Sequence, residues 1–517
     1  MAVCLFIFGA LEASGRVRFL ETAAPQARKT PAPVEWLTDA EGREYRLEPL
    51  PKAQGVKTSE TRVRTIWGVE VDLGREDAEF FYLKLYRVQP VAPPPVAAPA
   101  PAVTEPLPPT EARLSFEPFG TGLPSGGQWR EGVVVADVTG DPQPEIVAGP
   151  ARKSMRAPTV FGRTGQAWAP VRVTFPPRPY DYGALAWTPA QGHQPGLLVA
   201  GVHQRGLIAL SRTGAGAFDD ASSGLPFQQS SQEAVFASRA VALGDCNGDS
   251  RPDLIALGEG MRPTGRGREG SVAVGLAVFT QQEERTWTRQ PVAGEAFASV
   301  FGSTVAVGDV DGDGHLDVAV APGQFGEARI VGRGDGRCGF TAEAVPVWPR
   351  SFVTSLALAD VDGDTRADLI AGTTRFEGSR AWGHLDVYRR GADGAWTRTP
   401  LARLDGRARF DAVDAGDIDG DGRMDVAAAG PDGETFVFYG TAKGGFVRER
   451  ATIRHPARCT ASTLLVRDLD DAAGPELVIA YARERTASSA GVCDTEGGIT
   501  AWKAVARRPA PRRPARD

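Results

Sequence analysis

The chain has 517 residues, among them 61 glycines and 40 prolines, with 42% hydrophobic residues and a formal net charge of −6. Glycine plus proline, about a fifth of the residues, is high for a plain globular enzyme yet below the level of a disordered chain. These values exclude a collagen, a coiled coil, a polytopic membrane protein and a disulfide-packed miniprotein, and the mild charge argues against nucleic acid or another polyanion as partner. They leave a turn-rich, all-β protein with enough apolar residues for a large core.

The chain opens on an apolar run, AVCLFIFGAL from Ala2 to Leu11, followed by Ala13-Ser14-Gly15. Residues 1–15 read as a signal peptide with a small-residue cleavage site, although no basic residue precedes the run; the other reading is a buried strand. No run approaches the ~18 apolar residues of a membrane-spanning helix, so the expectation is a secreted or cell-envelope protein, periplasmic or at the surface, without a transmembrane segment. Residues 34–88 read as a small β module. Its segments Arg62 to Leu73 and Glu79 to Val88 are two strands joined by a turn at Gly74-Arg75-Glu76-Asp77. Residues 89–112 hold nine prolines between Pro90 and Pro109 and form a semi-rigid polyproline spacer. Residues 506–517 are a basic, proline-rich, disordered tail.

Residues 113–505 repeat. An acidic phrase begins at Asp137 (DVTGDPQPEIVAG), Asp245 (DCNGDSRPDLIAL), Asp309 (DVDGDGHLDVAVA), Asp360 (DVDGDTRADLIAG), Asp417 (DIDGDGRMDVAAA) and Asp468 (DLDDAAGPELVIA). The first gap, 108 residues, is twice the usual spacing. It hides a degenerate copy at Thr188 (TPAQGHQPGLLVAG), which makes seven repeats. Each has a strand entering the loop, a second leaving it, a third, and a fourth opened by an aromatic: Trp168, Phe218, Trp287, Phe340, Trp396 and Phe446 in the first six. Four antiparallel strands per repeat of about fifty residues is one blade of a β-propeller. The seventh repeat ends after its third strand at Ile499 to Lys503. Ser115 to Pro124 (SFEPFGTGLP) aligns with Ala217 to Pro226 (AFDDASSGLP), so the strand near Phe116 should complete the last blade and close the ring. A monomer is expected.

The loops carry carboxylates at positions 1, 3, 5 and 9. Full sets are Asp309, Asp311, Asp313 and Asp317; Asp360, Asp362, Asp364 and Asp368; and Asp417, Asp419, Asp421 and Asp425. Asp245, Asn247, Asp249 and Asp253 form a set with one neutral oxygen. In the first repeat Thr139 replaces the position-3 acid and leaves Asp137, Asp141 and Glu145; in the seventh Ala472 replaces position 5; the second repeat should bind nothing. Four carboxylates in a tight glycine-containing loop repel unless a cation sits among them. All-oxygen ligation in such a loop suits Ca²⁺, with three to five structural ions expected. An EF-hand is excluded because position 12 is Val320, Ala371 or Ala428 and the flanks are strands.

These loops resemble those of the FG-GAP or VCBS repeat family, the repeat of the integrin alpha-chain N-terminal propeller. Phe301-Gly302 before the fourth loop and Ala321-Pro322 after it are the ends that give the repeat its name. The resemblance implies a seven-bladed propeller with Ca²⁺ in inter-strand loops. It implies less about activity, since relatives include adhesion receptors, lectin-like sugar binders and propellers attached to polysaccharide-degrading enzymes. The expected function is therefore a calcium-stabilised binding or adhesion platform for a protein or glycan ligand. The competing reading is a polysaccharide lyase or hydrolase, or a lectin, built on the propeller.

Motifs for catalysis are sparse. The five histidines, His193, His203, His315, His384 and His455, lack zinc-protease spacing, and no GxSxG occurs. Gly265 to Gly270 spells GxGxxG but precedes a strand instead of opening a helix. Arg333-Gly334-Asp335 is an RGD tripeptide that arises easily in an arginine- and glycine-rich chain. The five cysteines are Cys4, Cys246, Cys338, Cys459 and Cys493. None has CxxC spacing; Cys459 and Cys493 bracket one repeat and either pair as a disulfide or stay as thiols.

Overall fold

The structure, a computed structural model, describes residues 114–506 apart from short loop segments, together with the backbone of seven strands in residues 3–90. The chain divides into two units, residues 1–100 and 101–517. The signal cleavage site, most of the proline-rich spacer, the GxGxxG segment and the tail beyond Ala506 lie outside the described residues.

In the first unit a five-stranded sheet is built around Phe81–Pro90, which pairs with Glu44–Pro49 and Gln54–Val56 antiparallel and with Val3–Phe8 parallel; Trp36–Thr38 lies outside Glu44–Pro49. The expected pairing of residues 62–73 with residues 79–88 is corrected. Arg64–Ile66 and Val69–Val71 pair with each other. Two residues, Trp67 and Gly68, separate them, a length that favours a tight hairpin within the segment.

In the second unit seven antiparallel sheets form a seven-bladed β-propeller, each with four main strands; the sixth carries a short fifth strand, Ile453–Arg454, paired with Glu434–Gly440. Blade 1 runs Val133–Ala136, Glu145–Ala148, Thr159–Thr164 and Ala167–Val171. Blade 2, the degenerate repeat, runs Leu185–Thr188, Leu197–Val202, Gly206–Gly214 and Ala217–Asp220. Blades 3 to 6 follow in the same order, their second strands at Asp253–Gly258, Asp317–Pro322, Asp368–Glu377 and Asp425–Ala429. Blade 7 takes Thr460–Arg467, Glu476–Arg483 and Gly498–Ala506 from the end of the repeats, and its fourth strand is Leu114–Pro118 from the start. Phe116 pairs with Ala504, so the two ends of the repeat region lock together as expected.

The packing follows from the strand composition. Second strands such as Leu197–Val202 and Asp425–Ala429 are buried along their whole length, because each blade is covered on both faces by its neighbours, and they read as runs of Val, Ile, Leu and Ala. Seven apolar clusters fill the seven blade interfaces. One of them joins Val133, Ile146 and Phe161 of blade 1 to Val478, Ala480 and Ile499 of blade 7, so the core is a continuous ring. The two aligned GLP segments have one role. Trp168 Nε1 donates to the Phe119 carbonyl and Trp287 Nε1 to the Ala221 carbonyl, both at 2.8 Å. Gly122 and Gly224 then pass so close that an added Cβ would lie 2.2 and 2.0 Å from those tryptophans' carbonyl oxygens.

Candidate metal centres

Each acidic loop joins the first and second strands of its blade, and its fold is set by the position-1 aspartate. That carboxylate accepts the backbone N–H of position 4 (Gly140, Gly248, Gly312 and Gly363, at 2.6–2.7 Å). It also accepts the N–H of position 6 (Ser250, Gly314, Thr365 and Gly422, at 2.7–2.9 Å). Both positions take positive φ, between 63° and 84°, which explains the recurrent glycines.

The position-9 acid is the buried anchor. Glu145, Asp253, Asp317, Asp368, Asp425 and Glu476 are each at most 3% exposed. Each accepts the N–H of position 2 in its own loop at 2.8–3.1 Å. In blades 3, 4 and 6 the other oxygen accepts a third-strand N–H, from Gln281, Gly334 and Gly440. Burial pushes the carboxyls of Asp253, Asp368 and Asp425 up to about 7 and that of Asp317 up to about 6. Neighbouring aspartates of the same loops add to the shift, as expected where like charges converge.

The loops of blades 4, 5 and 6 gather positions 1, 3 and 9. Carboxylate oxygens of Asp309, Asp311 and Asp317, of Asp360, Asp362 and Asp368, and of Asp417, Asp419 and Asp425 lie within 4.8 Å of one another in each triad. Two oxygens on one Ca²⁺ at ~2.4 Å are at most ~4.8 Å apart, so these triads fit a calcium ion. The position-5 acids stand aside. Asp364 and Asp421 pair with Arg366 and Arg423 two residues on, and Asp313 accepts the His315 N–H at 2.8 Å.

The weaker loops differ. In blade 1 Arg212 reaches Asp137, and the Thr139 hydroxyl donates to Glu145 at 2.5 Å and lies 3.1 Å from Asp141. In blade 3 Asn247 donates to Asp249, which pairs with Arg251, while the Asp253 carboxylate lies 3.0 Å from Cys246 Sγ. Cys246 is bonded to Cys338 of blade 4. The sequence carried no local spacing signal for this bridge, since 92 residues separate its ends. The second disulfide joins Cys459 to Cys493, one of the two readings left open. Blade 7 adds a triad that the missing position-5 acid hid: Asp468, Asp470 and Glu476.

The RGD tripeptide is committed to the fold. Arg333 pairs with Glu343 at 2.8 Å, Gly334 N donates to Asp317, and Asp335 accepts the N–H groups of Arg337 and Gly339. A separate polar cluster lies in blade 5. Trp348 Nε1 donates to the fully buried Asp386 at 3.0 Å, Arg398 stacks over the Trp348 ring at 3.7 Å, and the His384 ring lies 4.6 Å from it. No helix among the described residues is long and apolar enough to cross a membrane.

A family model described as "FG-GAP-like repeat" matches residues 245–320 and 309–371. These spans begin at the first aspartates of blades 3 and 4, and the second runs through the loop of blade 5.

Proposed function

Because the chain carries FG-GAP-like repeats across residues 245–371 and folds as a seven-bladed propeller, we propose that it is a calcium-pinned platform for a protein or glycan ligand, acting outside the cytoplasm. The observation that carries this reading is the same carboxylate triad built at the same hairpin of blades 4, 5 and 6. A reaction centre needs one constellation, whereas an element repeated round a ring points to scaffolding. In each loop Asp309, Asp360 or Asp417 would hold the ion together with the acids at positions 3 and 9, and Asp245, Asn247, Asp249, Asp137 and Asp141 would serve weaker sites. Bound Ca²⁺ would supply the charge that lets three carboxylates share one point.

Two disulfides support an oxidising compartment. A closed ring is a rigid body, and rigidity reduces the ordering cost of binding. The test is a glycan array and a panel of extracellular matrix and surface proteins probed with the intact protein, alongside a reducing-end assay on polysaccharides. Saturable, calcium-dependent binding without product release is the expected result. Release of reducing ends would transfer the case to the polysaccharide-active enzyme.

A further inference from the structure

The triads differ in the third-strand residue that lies beside position 9. The strand register identifies it in each blade. Leu477 pairs with Trp502, which sets Lys503 beside Glu476; Leu369 pairs with Tyr388, which sets Arg389 beside Asp368; Val318 pairs with Gly332, which sets Arg333 beside Asp317; Val426 pairs with Phe438, which sets Tyr439 beside Asp425. Three of these four residues are cationic, and each contacts the acid at position 3.

In blade 7 the Lys503 ammonium is 3.0 Å from both oxygens of Asp470 and 2.9 Å from Glu476 Oε1. It therefore touches two of the three members of that triad. In blade 5 Arg389 Nε is 3.1 Å from Asp362 and 3.7 Å from Asp368. In blade 4 Arg333 Nη1 is 3.4 Å from Asp311, while its Nε is held by Glu343. In blade 6 the position is the uncharged Tyr439, and the nearby Arg423 is paired with Asp421, which is not a member of the triad. An ammonium at hydrogen-bond distance from two carboxylates stands where a divalent ion would sit. It supplies positive charge and excludes the ion sterically. A guanidinium at the edge of a triad offsets charge without filling it.

We propose that Lys503 is a built-in counter-ion that replaces the divalent cation in blade 7, and that the cation at this third-strand position ranks the sites that carry one, with the guanidiniums of blades 4 and 5 weakening their sites and the ammonium of blade 7 closing its own. This rests on the calcium reading above and concerns which loops load.

The experiment is a calcium titration of the intact protein by calorimetry, with bound calcium counted by elemental analysis, on the wild type, Lys503→Met, Lys503→Arg and Arg389→Met. The wild type should bind calcium. Lys503→Met should gain one ion per chain, Lys503→Arg should gain one that binds more weakly, as the guanidinium-flanked triads of blades 4 and 5 do, and Arg389→Met should tighten one site by roughly tenfold, the effect of removing one competing ion pair of about 1.4 kcal/mol. A wild type that binds no calcium overturns the parent reading. A wild type that binds while folded Lys503→Met gains nothing overturns the inference. If Lys503→Met fails to fold, Arg389→Met decides, and an unchanged affinity there overturns the ranking.

Discussion

At the scale of single residues the loops trade backbone comfort for carboxylate geometry. Position 6 must be left-handed, yet Thr365 occupies it in blade 5 at φ 74°. A β-branched residue in that region is strained. Thr365 is exposed, so Thr365→Gly should raise stability by about 1 kcal/mol, measured by chemical denaturation; a loss of stability would show that the loop gains more from the Thr365 side chain than the backbone loses. Asp386 gives a pH signature away from the loops. Burial raises its carboxyl to about 7, against which Arg398 acts in the opposite direction. The folded chain thus holds a proton between about pH 4, the ordinary aspartate value, and about 7 that the unfolded chain has released. This contribution to stability is complete at low pH and is lost as pH rises through about 7. Asp386→Asn, which cannot ionise, should gain more in melting temperature over the wild type at pH 8 than at pH 5. An equal difference at both pH values would mean that Asp386 is charged throughout, paired with Arg398.

At the scale of elements, periodicity made most of the propeller legible. Strand positions, the acidic loops and the aromatic residues that open the fourth strands all recur at blade spacing. The erased second repeat was found from arithmetic because its second strand kept its apolar run. The closing strand was legible from the GLP echo, whose physical basis is the close passage of Gly122 and Gly224 against tryptophan backbones. Phe116 sits on that closing strand and packs against the core between blades 6 and 7. Phe116→Asp should cost about 2 kcal/mol through lost burial and lower the cooperativity of unfolding; an unaltered calorimetric transition would mean that Leu114–Pro118 does not hold the ring shut. What sequence reading missed lies between elements. Position 9 was legible as a ligand but not as the latch that binds loop to third strand, because backbone partners carry no residue signature. Lys503 was invisible for a similar reason: its meaning depends on strand register, not on its neighbours in sequence.

At the scale of the molecule, two disulfides supplement the apolar ring. The Cys246–Cys338 bridge ties the blade 3 loop to blade 4 across 92 residues, and Cys459–Cys493 closes 34. Chain entropy assigns about 2–4 kcal/mol to such links. The double variant Cys246→Ser/Cys338→Ser should lose about that much in denaturant unfolding, and no loss would mean that blades 3 and 4 are held by packing alone. The first pairing could not be read from sequence because distance along the chain hides proximity across a blade interface. The calcium proposed above would be a second fastening. At free ion a hundredfold above its dissociation constant, each site adds about 2.7 kcal/mol, so sites in several blades together should move the melting transition by roughly ten degrees. The most direct measurement is scanning calorimetry of the intact protein in excess calcium and in EDTA. A transition lowered in EDTA by that order, and restored by calcium but not by magnesium, is the predicted result. Coincident transitions under the two conditions would contradict a calcium-pinned propeller.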